Sequence, residues 1–322
     1  MKQVVYGAAL LLSAVVALAG CSSADKKGAD SLREVYREKH AESMRLKELN
    51  EQADIRERVP EGHALPKDAG EHEKTGDAHL RQGKTAAALI SYGRALALQP
   101  ENVRVRHKVG RLYLKEQMTR EAKREFQEIL KKDPGHFLAH EGLGQALLQE
   151  GDPAGAQGSL REAVRLKPDL WQAHNALGIA CDRLGQFGEA QRSYEAAIAL
   201  QPRRGMLFNN LGMSYFLAGD YERAVRAFGE ALKRSGDARI HNNLAMALAK
   251  QGRYQEAFEA FKKGGGEASA QNNIGYVYLR AGKPEDAVKA FETAIELNPR
   301  FYVKASENLK EAQAAASLLT KK

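Results

Sequence analysis

Cysteine is scarce in this chain: Cys21 and Cys181 are the only two among 322 residues. Nothing in their number or placement suggests a redox centre. Catalytic signatures are missing as well. The sequence contains no nucleophile motif, no Gly-rich phosphate loop and no metalloprotease signature. The triple glycine Gly264-Gly265-Gly266 is not followed by Lys-Ser/Thr and falls at a helix-to-helix junction. Long hydrophobic runs are also lacking. The one apolar stretch, Val4 to Ala19, is shorter than the roughly 20 residues that a membrane helix requires.

What the chain does have is periodicity. Pro100, Pro134, Pro168 and Pro202 follow one another at intervals of 34 residues. A fixed period of that length marks a solenoid of repeated helical pairs. A solenoid offers a long surface rather than a catalytic cleft, so binding is the first functional expectation.

The periodic proline can be taken as slot 32 of each repeat. Repeats then begin at Ala69, Val103, Phe137, Trp171 and Gly205. Slot 8 is glycine throughout (Gly76, Gly110, Gly144, Gly178, Gly212), and slot 20 is alanine (Ala88, Ala122, Ala156, Ala190, Ala224). Slot 24 is large: Tyr92, Phe126, Leu160, Tyr194 and Phe228. A glycine inside a helix costs about 1 kcal/mol relative to alanine, so its recurrence implies close approach of a neighbouring helix. Glycine at slot 15 (Gly83, Gly151, Gly185, Gly219) suits the left-handed end of the first helix. The proline ends the second helix, because the residue before it is pushed out of the helical region.

Small 8, small 20, aromatic 24 and proline 32 together resemble the tetratricopeptide (TPR) family. Two further repeats follow out of strict period, near Ala238 and near Ala268, the first shortened at Gly264-Gly265-Gly266. The resemblance implies an all-α solenoid of seven helix-turn-helix repeats over 69–299. Residues 300–322 read as a capping helix over the exposed last core. Cys181 falls at a packing slot, where a buried inert thiol is expected.

The amino-terminal end carries different information. Met1-Lys2, the apolar run and Leu18-Ala19-Gly20-Cys21 form a secretory pattern whose close resembles the bacterial lipoprotein lipobox. That resemblance implies a signal peptide over 1–20 and a lipid, including palmitate, on Cys21. Ser22 after the cysteine implies sorting to the outer membrane, facing the periplasm. No other cofactor is expected. Residues 21–68 read as a charged tether, either a marginal helix or a disordered spacer, stopped by Pro60. The chain carries a net charge of +8, and residues 1–20 contribute only Lys2 to it. The basic balance favours acidic partners or anionic surfaces. Nucleic acid is not an expected partner of an exported chain.

Slots 2, 6, 9 and 13 of the first helix point away from the packing slots 4, 8 and 11, and in a TPR superhelix they line the groove. In the second repeat these are all basic: Arg104, Lys108, Arg111 and Lys115. They read either as a binding stripe for an acidic segment or as a solvated face. Slot 6 of three successive repeats is asparagine, at Asn210, Asn243 and Asn273. An amide both donates and accepts, so such a column suits an extended peptide backbone. The alternative is that these amides serve contacts between repeats. Met206, Met213, Leu217, Met246 and Tyr276 form an apolar strip on the same face, either for peptide or helix binding or for burial under the cap. His72, His140, His174 and His241 share slot 4, a regularity of the repeat and not a metal cage. His136 and His140 have the spacing of helical metal ligands but no acidic or cysteine partner.

The blocks from Phe208 to Tyr221, from His241 to Lys250 and at Asn272-Asn273 look like the TPR lipoprotein family of tight-adherence (Flp-type) pilus assembly. That resemblance implies a non-enzymatic scaffold that assists a secretin-associated pilus or secretion machine and binds an extended or helical segment of one of its components. The alternative function is an envelope adaptor that recruits periplasmic proteases or peptidoglycan enzymes. A metal-assisted hydrolase using the histidines is the remaining reading.

Overall fold

The computed structural model describes residues 68–299 and 302–319. The signal peptide, Cys21 and nearly all of the tether lie outside the described residues. The described residues form fifteen α-helices and no strand. No described helix is long and apolar enough to cross a membrane.

The chain divides between Gln186 and Phe187 into two compact units. The first contains α1 (Ala69–Arg81), α2 (Thr85–Leu98), α3 (Val103–Lys115), α4 (Thr119–Lys132), α5 (Phe137–Glu150), α6 (Pro153–Leu166) and α7 (Trp171–Arg183). The second contains α8 (Phe187–Leu200), α9 (Gly205–Leu217), α10 (Tyr221–Leu232), α11 (Ala238–Lys250), α12 (Tyr254–Gly265), α13 (Glu267–Arg280), α14 (Pro284–Leu297) and α15 (Tyr302–Leu319). Within each unit every helix packs on the next in sequence. The first helices of successive pairs also touch, α3 on α5, α5 on α7 and α9 on α11.

In five pairs the core is a fit of a large side chain into a space left by a glycine, and the sixth pair has Ala245 at that slot instead. A Cβ added to Gly110 would stand 2.8 Å from the Phe126 ring, one on Gly212 2.7 Å from Phe228, and one on Gly275 2.8 Å from Phe291. Gly76 and Gly144 are closed in the same way by Tyr92 and Leu160. The slot-20 alanines Ala88, Ala122, Ala156, Ala190 and Ala224 are completely buried. Close helix approach therefore has a specific cause: in these pairs the slot-24 side chain occupies the space that a slot-8 side chain would fill. The cap extends this packing, since Ala312 of α15 joins the cluster of Ala287 and Phe291.

The pairs are joined by short turns with local instructions. Asp68, Asn102, Asp152, Asp220 and Asp237 accept backbone N–H bonds at helix starts. Slot 15 adopts positive φ in all seven repeats, and six of them use glycine. The second repeat has Gln117 there, at φ 61°, the one non-glycine residue in that region among those described. Shortening in the fifth and sixth repeats is confined to α10 and α12, which have 12 residues each against 14 in the other second helices.

Two substitutions test this packing logic. Gln117→Gly is expected to raise the stability of the first unit by about 0.5–1 kcal/mol, because a side chain in the left-handed region costs roughly 1–2 kcal/mol and glycine gives back only part of that in chain entropy. Gly212→Ala is expected to lower the stability of the second unit by about 1–3 kcal/mol through overpacking against Phe228. Urea unfolding with hydrogen exchange resolved by repeat measures both.

Candidate binding face on the first helices of the repeats

In the first unit, the basic residues of α3 are met by carboxylates on the helices beside it. Arg104 Nη2 donates to Glu73 Oε2 at 2.6 Å, and Lys108 Nζ donates to Glu73 Oε1 and Asp77 Oδ1, each at 2.7 Å. Asp77 Oδ1 also accepts the Tyr92 hydroxyl at 2.5 Å. On the other side, Arg111 lies 3.6 Å from Glu141. Lys115 is exposed. Three of the four stripe residues thus bind acids of the same unit, so the local charge is far more balanced than the slots of one repeat imply.

These carboxylates reveal a pattern beside the groove slots. Slot 5 is polar in every repeat: Glu73, His107, Glu141, Asn175, Asn209, Asn242 and Asn272. Glu73 is 4% exposed and Glu141 1% exposed. Burial disfavours charge on Glu73, but the hydrogen bonds from Lys108 and Arg104 outweigh it and hold the carboxyl below its ordinary value of 4.5. Glu141 is the opposite case. Burial pushes its carboxyl up, and the Arg111 charge and the Gln145 amide offset this only in part. His107 is pushed down to about 4 by burial, then by the Arg111 charge and His136. The signal in the sequence was a buried-face neighbour that is never apolar.

Two histidines of slot 4, His140 and His174, have a backbone role. The Nε2 of His140 pairs with the Pro134 carbonyl at 2.9 Å, and that of His174 with the Pro168 carbonyl at 2.8 Å. Arg106 donates to the Pro100 carbonyl at 2.8 Å from the same slot. Slot 4 of the fifth repeat is Phe208. There Arg234 lies 4.0 Å over the Phe208 ring and donates to the Pro202 carbonyl at 2.7 Å. Each periodic proline therefore ends a helix and presents a carbonyl that a side chain satisfies. His136 caps α5, its Nδ1 accepting from Ala139 N at 3.1 Å. Among the described residues no group of three or more His, Cys, Asp or Glu is placed to hold a metal ion. Cys181 is buried, with the Gln157 amide donating to its sulfur at 3.3 Å.

In the second unit, the first helices α9, α11 and α13 carry the asparagines and the apolar strip. Asn210, Asn243 and Asn273 are all half-buried. The Asn243 amide donates to Asn209 Oδ1 at 2.9 Å, a bond between successive repeats. The strip is not uniform. Met206 is 47% exposed and Leu217 41% exposed, whereas Met213 is half-buried. Met246 packs against the core cluster around Ala245, Phe261 and Ile274. Tyr276 packs towards Ala287, Phe291 and the cap residue Ala312, with Arg280 5.1 Å over its ring. The exposed apolar side chains of this strip are thus on α9.

Comparison with known proteins follows the same architecture. Residues 17–274 match the family model described as the cilia and flagella-associated protein 70 C-terminal domain, and residues 268–301 match that of the tetratricopeptide repeat. No curated protein matches the sequence. Among solved structures, a tetratricopeptide repeat protein from Parabacteroides merdae ATCC 43184 is 15% identical, with a TM-score of 0.56 over 76% of this chain and 98% of that one. PilW, described as a widely conserved type IV pilus biogenesis factor, is 21% identical, with a TM-score of 0.56 over 60% of this chain and 90% of that one. The APC/C hetero-tetramer Cut9-Hcn1 is 24% identical, with a TM-score of 0.54 over 77% of this chain and 50% of that one. At these identities the likeness is one of fold.

The two buried glutamates are expected to respond oppositely to substitution. The depressed carboxyl of Glu73 contributes stability that is present above its ordinary value and is lost as pH falls through its lower folded value. Glu73→Gln should therefore cost about 2 kcal/mol at pH 7, the worth of hydrogen bonds to a charged group, and the difference from the parent should close in acid. The raised carboxyl of Glu141 makes stability fall as pH rises from 4.5 towards its folded value. Glu141→Gln should remove that fall and be near neutral at pH 7. Urea unfolding of each variant at several pH values measures this.

Proposed function

The chain belongs to the TPR-containing family described as the cilia and flagella-associated protein 70 C-terminal domain, and on that premise we propose that it is a lipid-anchored scaffold of the bacterial envelope. In this reading it binds protein components of a pilus or secretion machine and performs no chemistry itself. The observation that carries the binding role is the division of labour within each repeat. Slots 8, 20 and 24 are consumed by packing, and in several repeats slots 4 and 5 are engaged by bonds to backbone and neighbouring side chains. Met206 and Leu217 remain exposed on α9 with no packing reason to be apolar.

The anchor and the compartment rest on the lipobox at Leu18-Ala19-Gly20-Cys21 and on Ser22. The pilus assignment rests on the three asparagine-containing blocks that resemble tight-adherence pilus lipoproteins. The fold shared with PilW agrees with that assignment. Recruitment of cell-wall enzymes uses the same surface, and the identity of the bound protein separates the two.

Two experiments test the reading. Cys21→Ser should abolish incorporation of labelled palmitate and release the chain from the membrane fraction; labelling that persists contradicts the anchor. A photoreactive residue at Asn243 should give adducts with a secretin or pilus component in the native envelope, and one at the exposed Glu292 of α14 should give none. Adducts with peptidoglycan enzymes would replace the pilus assignment, and equal adducts at both positions would contradict a groove.

A further inference from the structure

The groove of the second unit contains two different patterns, and they recognise different shapes. Down the repeats runs the slot-6 column, Asn210, Asn243 and Asn273, which an extended backbone would cross helix by helix. Along α9 alone run Met206, Asn210, Met213 and Leu217, at intervals of four, three and four residues. That spacing is the a/d rhythm of a coiled-coil seam, with asparagine at an a position. It extends over twelve residues, Met206 to Leu217, about 16 Å of helix.

The exposed apolar surface follows the second pattern. Met206 and Leu217 are 47% and 41% exposed, but their counterparts in the next repeats are Arg239 and Lys250 and then Ser269 and Arg280. An apolar ridge that stays on one helix is matched by another helix lying along it, not by a strand crossing it. The column is also partly spent, because the Asn243 amide already donates to Asn209.

Charge identifies the occupant. Helix α9 has no charged residue, and α11 has only Arg239 and Lys250. Arg239 pairs with Asp237 in the preceding turn, while Lys250 at the end of α11 is exposed. The acids of these repeats are on α10 and α12, at Glu222, Glu230, Glu256 and Glu259, or at helix starts, where Asp220 caps α10, Asp237 caps α11 and pairs with Arg239, and Glu267 opens α13. An uncharged, apolar seam with the exposed Lys250 beside it fits a helix with an apolar ridge and acidic flanks. A second copy of α9 would bring no acids and would set its own Arg239 and Lys250 near those of the first.

We propose that α9 is a docking seam for an amphipathic partner helix with acidic flanks, seated along Met206, Asn210, Met213 and Leu217. This rests on the scaffold reading above and specifies the shape and charge of what the scaffold holds. Met206 and Leu217 supply the apolar contact, Asn210 sets the register, and Lys250 supplies attraction to the acidic flank.

The test uses the full chain and a two-heptad helical peptide with leucine at a and d, one asparagine at a, and glutamate at e and g. Binding is read by fluorescence anisotropy against two controls: the same peptide with lysine at e and g, and one with two central prolines. The acid-flanked helix should bind at least tenfold more tightly than either control. The variant M206E/L217E should lose at least tenfold, with its helical circular dichroism and unfolding midpoint unchanged because both side chains are exposed. Failure of the acid-flanked helix to bind overturns the proposal, as does equal binding of the proline peptide that is lost in N243A/N273A, which would indicate extended-backbone recognition. Concentration-dependent dimerisation abolished by M206E/L217E overturns it in favour of a second copy. The scaffold reading fails separately, if photocrosslinking at Asn243 captures no protein while the seam also binds no helix.

Discussion

The contact on which the rest of this structure depends is the seating of one large side chain against a glycine in the facing helix. Phe126 against Gly110, Phe228 against Gly212 and Phe291 against Gly275 leave no room for even a methyl group. The glycine costs helix stability, about 1 kcal/mol relative to alanine. The ring that fills the space buries entirely, which at about 2–3 kcal/mol for a large apolar side chain outweighs that cost. Because the same fit recurs in five of the pairs, it sets how close the two helices stand there and which face of the first helix turns outward. The binding face is a consequence of that packing.

Around this contact side chains satisfy the carbonyls at the helix ends, whereas three buried slot-5 atoms, His107 Nε2, Asn242 Oδ1 and Asn272 Oδ1, have no hydrogen-bond partner. Proline carbonyls receive Arg106, His140, His174 or Arg234, and buried slot-5 residues bridge neighbouring first helices. In the first unit this bridging is ionic, with Glu73 holding Arg104 and Lys108. In the second it is amide to amide, as between Asn243 and Asn209. The change from charge to amide leaves α9 uncharged, and that lack of charge makes its exposed methionine and leucine available to an apolar ridge.

The repeat starts were legible because they rest on local rules. The helices begin at Ala69, Val103, Phe137, Trp171 and Gly205, the positions that the proline register gives; the two repeats out of period begin at Ala238 and Glu267, and the glycine triplet ends α12 as its spacing implies. The basic stripe was not legible. Arg104, Lys108 and Arg111 share one helix face in the sequence, but their partners Glu73, Asp77 and Glu141 are about 30 residues away, in neighbouring repeats. A single-repeat reading sees the cations and not the acids. Slot 5 went unread for a related reason: a polar residue beside an apolar slot looks solvated until the adjacent repeat is in place. Tyr276 is different: burial under the cap was the alternative reading of its strip, and it packs against the cluster that holds Ala312 of the cap.

If α9 is the docking seam, its uncharged face is where partner binding is felt first. The chain has six methionines, and three of them, Met206, Met213 and Met246, are on α9 and α11. Methyl spectra of the full chain with labelled methionine, recorded as the crosslinked partner's binding segment is added, test the account most directly. It predicts large shifts at Met206 and Met213, a smaller one at Met246 and none at Met118 in the first unit. Shifts centred on Met118, or a partner that binds while Met206 and Met213 stay unchanged, would contradict it.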